Sequence, residues 1–355
     1  MPDNVVAWDS DKSNGVFVPV ARTLVAGAFA SVIDTNVADI ADIVPGSAKA
    51  QGATNLAADA GSRAGGVPLA FPNLFVNGGH EQWQRGTGAF TGSGSYAADS
   101  WQLAITGTDT LSVSRDSANA DIGSKYCSAC TFGLGSGAGL TEYRQLFNAA
   151  TDFTQLMGQR VTITFRVKCA VAGAVRASLM VDGVVLSNSA FHTGSGLYET
   201  LTVTGLIAAS GVTYVSARVL FAAACTAYVD DVMGVIGSVP SVYVPMHPAD
   251  DIARDQRYYE LLAEAQSGSL VLGDAGAPAT AGGQFGRVCL VYKVKKAVSP
   301  TVTVVGGWSN VNCGTPFVGN FDTLAVRLAT SVVGAGAFST VNNGSASTIT
   351  VEANP

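Results

Sequence analysis

Val161-Thr162-Ile163-Thr164-Phe165-Arg166-Val167 alternates without a break, placing Val161, Ile163, Phe165 and Val167 at one parity and Thr162, Thr164 and Arg166 at the other. Side chains along a strand point to opposite faces in turn, so this stretch predicts a half-buried antiparallel strand with one apolar and one polar face. Just downstream, Asp182-Gly183 sits between Met180-Val181 and Val184-Val185 and predicts a two-residue hairpin. Further short apolar runs at 100–105, 110–113, 175–181, 198–203 and 212–220 are divided by Gly, Ser, Asn and Asp. The same texture returns after residue 266, at 285–294, 301–305, 323–328 and 347–351. Strands at such spacing predict a mainly β protein: a jelly-roll β-sandwich over 71–246 and a second, smaller C-terminal β-sandwich over 266–355.

Between the two β regions one linking helix is expected over 247–265. Pro248 and the acidic pair Asp250-Asp251 mark its first turn, Ile252, Tyr259 and Leu262 line one face, and Asp250 and Arg254 have the spacing of an ion pair. The first seventy residues read differently. Residues 5–8 and 15–18 form apolar runs around a polar turn and predict a hairpin, while Val37, Ile40, Ala41 and Val44 fall at helical spacing. Residues 46–66 hold hardly any large apolar side chain, so they read as a linker or as a segment ordered by a partner.

Composition narrows the function classes. Twenty basic against 26 acidic residues give a net charge of −6, and with 13% charged residues no basic block is present to meet a phosphate backbone. Nucleic-acid binding is therefore not expected. The apolar windows 20–33 and 211–229 carry Arg22 and Arg218 and neither is a clean run of membrane-spanning length, so membrane insertion is not expected either. The start, Met1-Pro2-Asp3-Asn4, lacks a basic n-region, which predicts assembly in a cytosol without a secretory signal. The six cysteines are expected to be reduced. Cys127 and Cys130 have CxxC spacing, but no second pair completes a zinc site.

Catalytic motifs are not apparent. The three histidines, His80, His192 and His247, fall outside any nucleophile motif, and the glycine run at 133–139 is followed by no Lys-Ser/Thr. Asp230-Asp231 could feed a calcium site, yet further ligands are missing and a solvated turn is the simpler reading, so neither a metal nor a cofactor is expected. Glu142, Asp152 and Glu199 are the carboxylates a glycosidase could use, with nothing in their spacing to favour a pair. Aromatics remain. A flat apolar ring beside fixed hydrogen-bonding groups suits a sugar, and the candidates are Trp308 with Asn310, Tyr96 and Tyr198. Trp308, between Gly306-Gly307 and Ser309-Asn310, is the one expected to be exposed, whereas Trp83 and Trp101 are expected to fill the core.

The run Asn73-Leu74-Phe75-Val76-Asn77-Gly78-Gly79-His80-Glu81-Gln82-Trp83-Gln84-Arg85-Gly86, followed by Ala98-Asp99-Ser100-Trp101, resembles a type of bacteriophage tail-fibre and virion structural protein with a carbohydrate-binding-module-like jelly roll. The resemblance continues through Tyr143-Arg144-Gln145-Leu146, residues 156–165, Asp255-Gln256-Arg257-Tyr258-Tyr259-Glu260 and the strand around Ser299-Pro300-Thr301-Val302-Thr303. Ser100 stands where that family has Arg, and Asp255 where it has Cys. Trp83, Gln84, Arg85, Trp101, Gln256, Arg257, Tyr258 and Tyr259 read as framework: Gln84 and Arg85 as donors to nearby backbone carbonyls, Tyr258 and Tyr259 as anchors of the helix. The resemblance implies a non-enzymatic homotrimeric virion fibre or spike that docks on other virion proteins through residues 1–70 and binds host-surface glycan through its β domains. A capsid head fibre or decoration protein is the alternative, and a polysaccharide depolymerase a more distant one.

Overall fold

Strand β7 (Arg160–Cys169), which contains the alternating stretch, is the second strand of a five-stranded sheet. The computed structural model describes residues 6–8, 17–19, 73–136, 140–148, 156–263, 271–273, 279–342 and 348–354. The chain divides into two compact units, residues 1–71 and 72–355. In the first, β1 (Val6–Trp8) and β2 (Phe17–Pro19) pair antiparallel with Trp8 opposite Phe17, the hairpin read from the sequence. The helical spacing at 37–44 and the small-residue stretch 46–66 lie outside the described residues.

The second unit opens with an antiparallel sandwich of the jelly-roll class. Its strands are β3 (Gln102–Ala104), β4 (Thr110–Asp116), β5 (Cys127–Gly133), β6 (Thr141–Asn148), β7, β8 (Val175–Val181), β9 (Val184–Phe191), β10 (Tyr198–Leu206), β11 (Tyr214–Phe221) and β12 (Cys225–Ile236). One sheet runs β10-β7-β12-β5-β4 and the other β3-β6-β11-β8-β9. Val161, Ile163, Phe165 and Val167 point between the sheets, where each buried large side chain contributes about 1.5–3 kcal/mol. Asp182 and Gly183 both take positive φ, 47° and 84°, as the tight β8–β9 turn requires. Trp101 is fully buried against Phe75, Tyr143 and His80, and Trp83 is buried beside Phe90.

The Asn73 to Arg85 segment closes this core. Asn73 Nδ2 donates to the Val232 carbonyl at 2.7 Å while its Oδ1 accepts from the amides of Phe75 and Gly234. Asn77, at φ 51°, binds Gln82 and the Asp99 carbonyl through its side chain, and its own carbonyl accepts from Trp101 Nε1 at 3.0 Å. A Cβ on Gly78 would overlap the Val232 carbonyl oxygen and lie 2.6 Å from Asn73 Nδ2, so only glycine fits there.

The helix α1 spans Pro248–Gln256, with the His247 ring capping it through Nδ1. It is shorter than the expected 247–265. Residues 259–263 instead form β13 (Tyr259–Ala263), paired with β21 (Thr348–Glu352), because a sheet edge offers these residues a full ladder that one more helical turn could not match. Ile252 is consequently an exposed helix residue, and Tyr259 belongs to a strand. Arg254 does not pair with Asp250; it donates to the Asn73 and Leu74 carbonyls, while Asp251 accepts from the Asn77 amide. The helix thereby clamps the segment that closes the jelly roll.

Three three-stranded antiparallel sheets complete the unit: β13-β21-β16, β14-β20-β17 and β15-β19-β18. The remaining strands are β14 (Val271–Gly273), β15 (Phe285–Val291), β16 (Thr301–Val305), β17 (Trp308–Val311), β18 (Phe317–Phe321), β19 (Ala325–Ser331) and β20 (Ser339–Asn342). Their small core holds Tyr292, Val326, Leu328, Ile349 and Val351. Among the described residues no helix is long and apolar enough to cross a membrane.

Candidate functional site

The polar parity of β7 faces outward from the sandwich, and register places it beside its neighbours' polar residues. Thr164 lies opposite Thr202, Arg166 opposite Thr200 on one side and Asp230 on the other, and Lys168 opposite Tyr198 and Tyr228. Two chain segments rise over this face. Residues 119–124 approach from one side, and residues 238–243, leaving β12, cross the other, where the Ser241 carbonyl accepts from Thr164 Oγ1. Between them lies a groove of about 500 Å³, with Thr164, Arg166, Thr200 and Thr202 as floor and Asp121, Ser241 and Tyr243 among its walls. That volume is in the usual range of small-ligand sites.

Arg166 organises the groove. Its Nε donates to Asp121 Oδ2 at 2.6 Å, its Nη1 to Thr200 Oγ1 at 3.2 Å, and its guanidinium stands 5.6 Å from the Tyr198 ring centroid. The Tyr198 hydroxyl donates to the Asn119 carbonyl at 2.8 Å, and Lys168 Nζ donates to Asn119 Oδ1. Asp230 accepts from the amides of Asp121 and Asp231 and from Ser124 Oγ; burial nevertheless pushes its carboxyl up to about 8. Asp231, in the register break of β12 and at φ 44°, is raised by burial to about 6. The site is thus a hydroxyl-rich trough with one ion pair and an aromatic at its rim, suited to a neutral polyhydroxylated ligand. Among the described residues no group of three or more His, Cys, Asp or Glu side chains is placed to hold a metal ion.

The four residues expected to touch glycan fall in three places. Tyr198 stands at the rim of the groove. Tyr96 lies at the junction with the C-terminal strands, 4.9 Å beneath the Arg85 guanidinium, and lines a separate cavity of about 120 Å³ with Tyr258 and Arg257. Trp308 and Asn310 are on β17. Trp308 is half-buried against the C-terminal core and its Nε1 has no acceptor among the described residues, contrary to the exposed setting expected from its flanking glycines. The ring fills the gap that a five-residue core leaves open. Asn310 is exposed and binds Thr315 and Thr340.

The framework residues are joined differently from the sequence reading. Arg85 donates to carboxylates rather than to carbonyls, at 3.3 Å to Asp99 and 3.1 Å to Glu352, and stacks 3.8 Å from the Tyr259 ring centroid. The Gln84 amide nitrogen binds Asp99, but its side-chain Nε2 is buried without a partner among the described residues. Gln256 is buried, and its carbonyl accepts from Lys296. The backbone carbonyls of Arg257 and Tyr258 accept from Ala297 and Ala353.

Glu142 and Glu199 stand on different sheets. Glu142 is buried between Arg144 and Arg218, and Glu199 accepts from Thr193 and Ser195. Asp152 lies outside the described residues. Cys130 faces the core while Cys127 lies beside Asp230 and Tyr198, so the CxxC pair straddles the strand, and all six cysteines are unpaired.

No family model and no curated protein matches the chain. Among solved structures it is similar to a CBM22-1–GH10 segment of Clostridium thermocellum xylanase 10B, complexed with xylohexaose, at 11% identity over 42% of this chain and TM-score 0.31. The chain covers 28% of that protein. A CBM4 module matches at 14% identity over 45% of this chain and 98% of its own, with TM-score 0.30. The enzymatically active domain of bacteriophage CBA120 tailspike protein 4 matches at 14% identity over 46% of this chain and 21% of its own, with TM-score 0.32. Likeness at this level carries no functional argument, which therefore rests on the groove.

Proposed function

We propose that the protein is a non-catalytic virion fibre or spike component that binds host-surface glycan in the groove on the outer face of β10-β7-β12. The observation that carries this reading is the floor of Thr164, Arg166, Thr200 and Thr202, where the Thr200 and Thr202 hydroxyls and the Arg166 guanidinium face a trough open to solvent. Sugar hydroxyls need such convergent polar groups with a ring face nearby; Tyr243 lines the wall of the groove, and Tyr198 lies next to Arg166. The assignment to a virion, as a homotrimer docked through residues 1–70, is supported by the motifs from Asn73 to Thr303 and their order along the chain.

Two measurements test it. Purified protein is titrated with surface polysaccharide from the host; binding is expected, with Thr200→Val and Tyr198→Ala each weakening it about tenfold, the effect of losing one hydrogen bond or stacking contact. Release of reducing ends would refute the non-catalytic reading. Immunogold labelling of intact particles with antibodies to residues 71–355 is expected to mark the distal tail. Label over the capsid would make the protein a head fibre, and particles without label would remove it from the virion.

A further inference from the structure

The C-terminal sheet β15-β19-β18 buries one face and leaves the other bare. On β15, Phe285, Arg287, Cys289 and Val291 are exposed while Gly286 is buried and Val288 and Leu290 are half-buried, and on β19 Arg327 projects to solvent between Ala325 and Ala329. Phe317 of β18 meets Phe285 edge to face, with ring centroids 6.1 Å apart, and Arg287 lies 5.7 Å from the Phe285 ring. Further along the sheet from these rings, the small residues Ala325 and Gly319 leave a depression of about 430 Å³, walled by Cys289, Asn320, Phe321, Asp322 and Arg327.

Charge on this face is reversed from that of the whole chain. Neither Arg287 nor Arg327 has an ion-pair or side-chain hydrogen-bond partner among the described residues. The one acid in the depression, Asp322, already accepts from the amides of Leu324 and Ala325 at 2.6 and 2.9 Å. A protein of net charge −6 thus presents two uncompensated guanidiniums flanking exposed aromatic rings. Guanidinium groups recognise carboxylates through paired hydrogen bonds, and phenyl rings take the apolar face of a pyranose.

We propose that this face is a second saccharide site, selective for acidic sugars of the uronate type. The carboxylate of one sugar unit pairs with Arg327 in the depression, where Asn320 and the free oxygen of Asp322 take its hydroxyl groups, and the next unit of the chain lies over Phe317 and Phe285 further along the sheet. Arg287 adds a second positive charge at the aromatic end. The site stands apart from the groove in the jelly roll and does not depend on it.

The test is calorimetric titration of the full chain with trigalacturonate and with its methyl ester at two salt concentrations. The acid is expected to bind about tenfold or more tightly than the ester, with the preference shrinking at high salt. Arg327→Gln should abolish the preference, Arg287→Gln should weaken it, and Thr200→Val in the other groove should leave it unchanged. Equal affinity for acid and ester, or an unaltered preference in Arg327→Gln, overturns the proposal. So does absence of binding by either sugar.

Discussion

Ser100 Oγ donates to Asp255 Oδ1 at 3.4 Å, inside the contact between the jelly roll and α1. These are the two positions at which the chain departs from the pattern it resembles, where Arg and Cys are usual. The departures are therefore neighbours in space, 155 residues apart in sequence. Asp255 is fully buried, and its Oδ2 has no partner among the described residues. Burial, reinforced by the nearby Asp99, raises its carboxyl well above the ordinary range. Burial raises Asp99 too, but Arg85 and the Gln84 amide oppose that shift. Of the two, Asp255, on which burial and Asp99 outweigh the Ser100 hydrogen bond and the charge of Arg254, keeps the proton.

Asp255→Asn is expected to stabilise the protein at neutral pH. A carboxyl whose folded pKa is raised binds a proton that the unfolded chain releases above about 4, so folding weakens as pH rises, by about 1.4 kcal/mol per pH unit from this group until its folded pKa is reached. The amide does not titrate. Urea denaturation from pH 4 to pH 8 should show the variant's advantage vanishing near pH 4 and growing towards pH 8; parallel curves would show that Asp255 is not the titrating group.

Arg85→Ala should destabilise the unit by about 3–5 kcal/mol, because Asp99 is left as an uncompensated buried charge. The same change frees Glu352 on β21 and uncovers Tyr96 and Tyr259. Calorimetric melting is expected to fall by several degrees and to broaden as the C-terminal strands loosen from the sandwich.

Lys296→Met tests the pair on the opposite side of that contact. Lys296 Nζ donates to Glu260 at 2.6 Å and to the Gln256 carbonyl, and both side chains are completely buried. Removing the cation strands Glu260, with an expected loss of about 3–5 kcal/mol. The double variant Lys296→Met, Glu260→Gln should recover most of it, as a double-mutant cycle will read directly.

Gly78→Ala places a methyl group on the Val232 carbonyl. Neither partner can retreat, since Asn73 and Gly78 both hydrogen-bond the backbone of Val232. A loss of about 3 kcal/mol is expected in chemical denaturation, the upper end for crowding a packed site. Gly86→Ala, where a Cβ meets nothing but φ is 108°, should cost less.

What the sequence disclosed depended on whether a local pattern or a distant contact decides the outcome. The alternation of β7 and the Asp182-Gly183 turn are local, and both elements stand as read. The polar parity of β7 was legible and carries half of the groove's floor, Thr164 and Arg166; the other half, Thr200 and Thr202, comes from pairing with β10. Its walls were not legible, because residues 119–124 and 238–243 carry no periodic pattern and are held by contacts such as Thr164 to Ser241. The end of α1 was misread for the same reason: residues 259–263 keep an apolar spacing that suits a helix, and only the presence of β21 turns them into a strand. Trp308 was misplaced because flanking glycines report backbone freedom, not burial. The acidic-sugar face on β15 and β19 could have been suspected from Phe285-Gly286-Arg287, whose two ends share a parity.

Asn73 reaches Val232 and Gly234 across some 160 residues of chain, and this fixes the order of events when the protein is made. The jelly-roll core cannot be sealed at its opening segment until β12 has been synthesised, so Phe75 and Trp101 wait for a partner strand from the far end. Contacts of such long sequence separation make folding slow, on the scale of milliseconds to seconds even for small β domains. A released chain truncated before Val232 will therefore hold an open sandwich, sensitive to protease, and one that includes β12 and α1 should close.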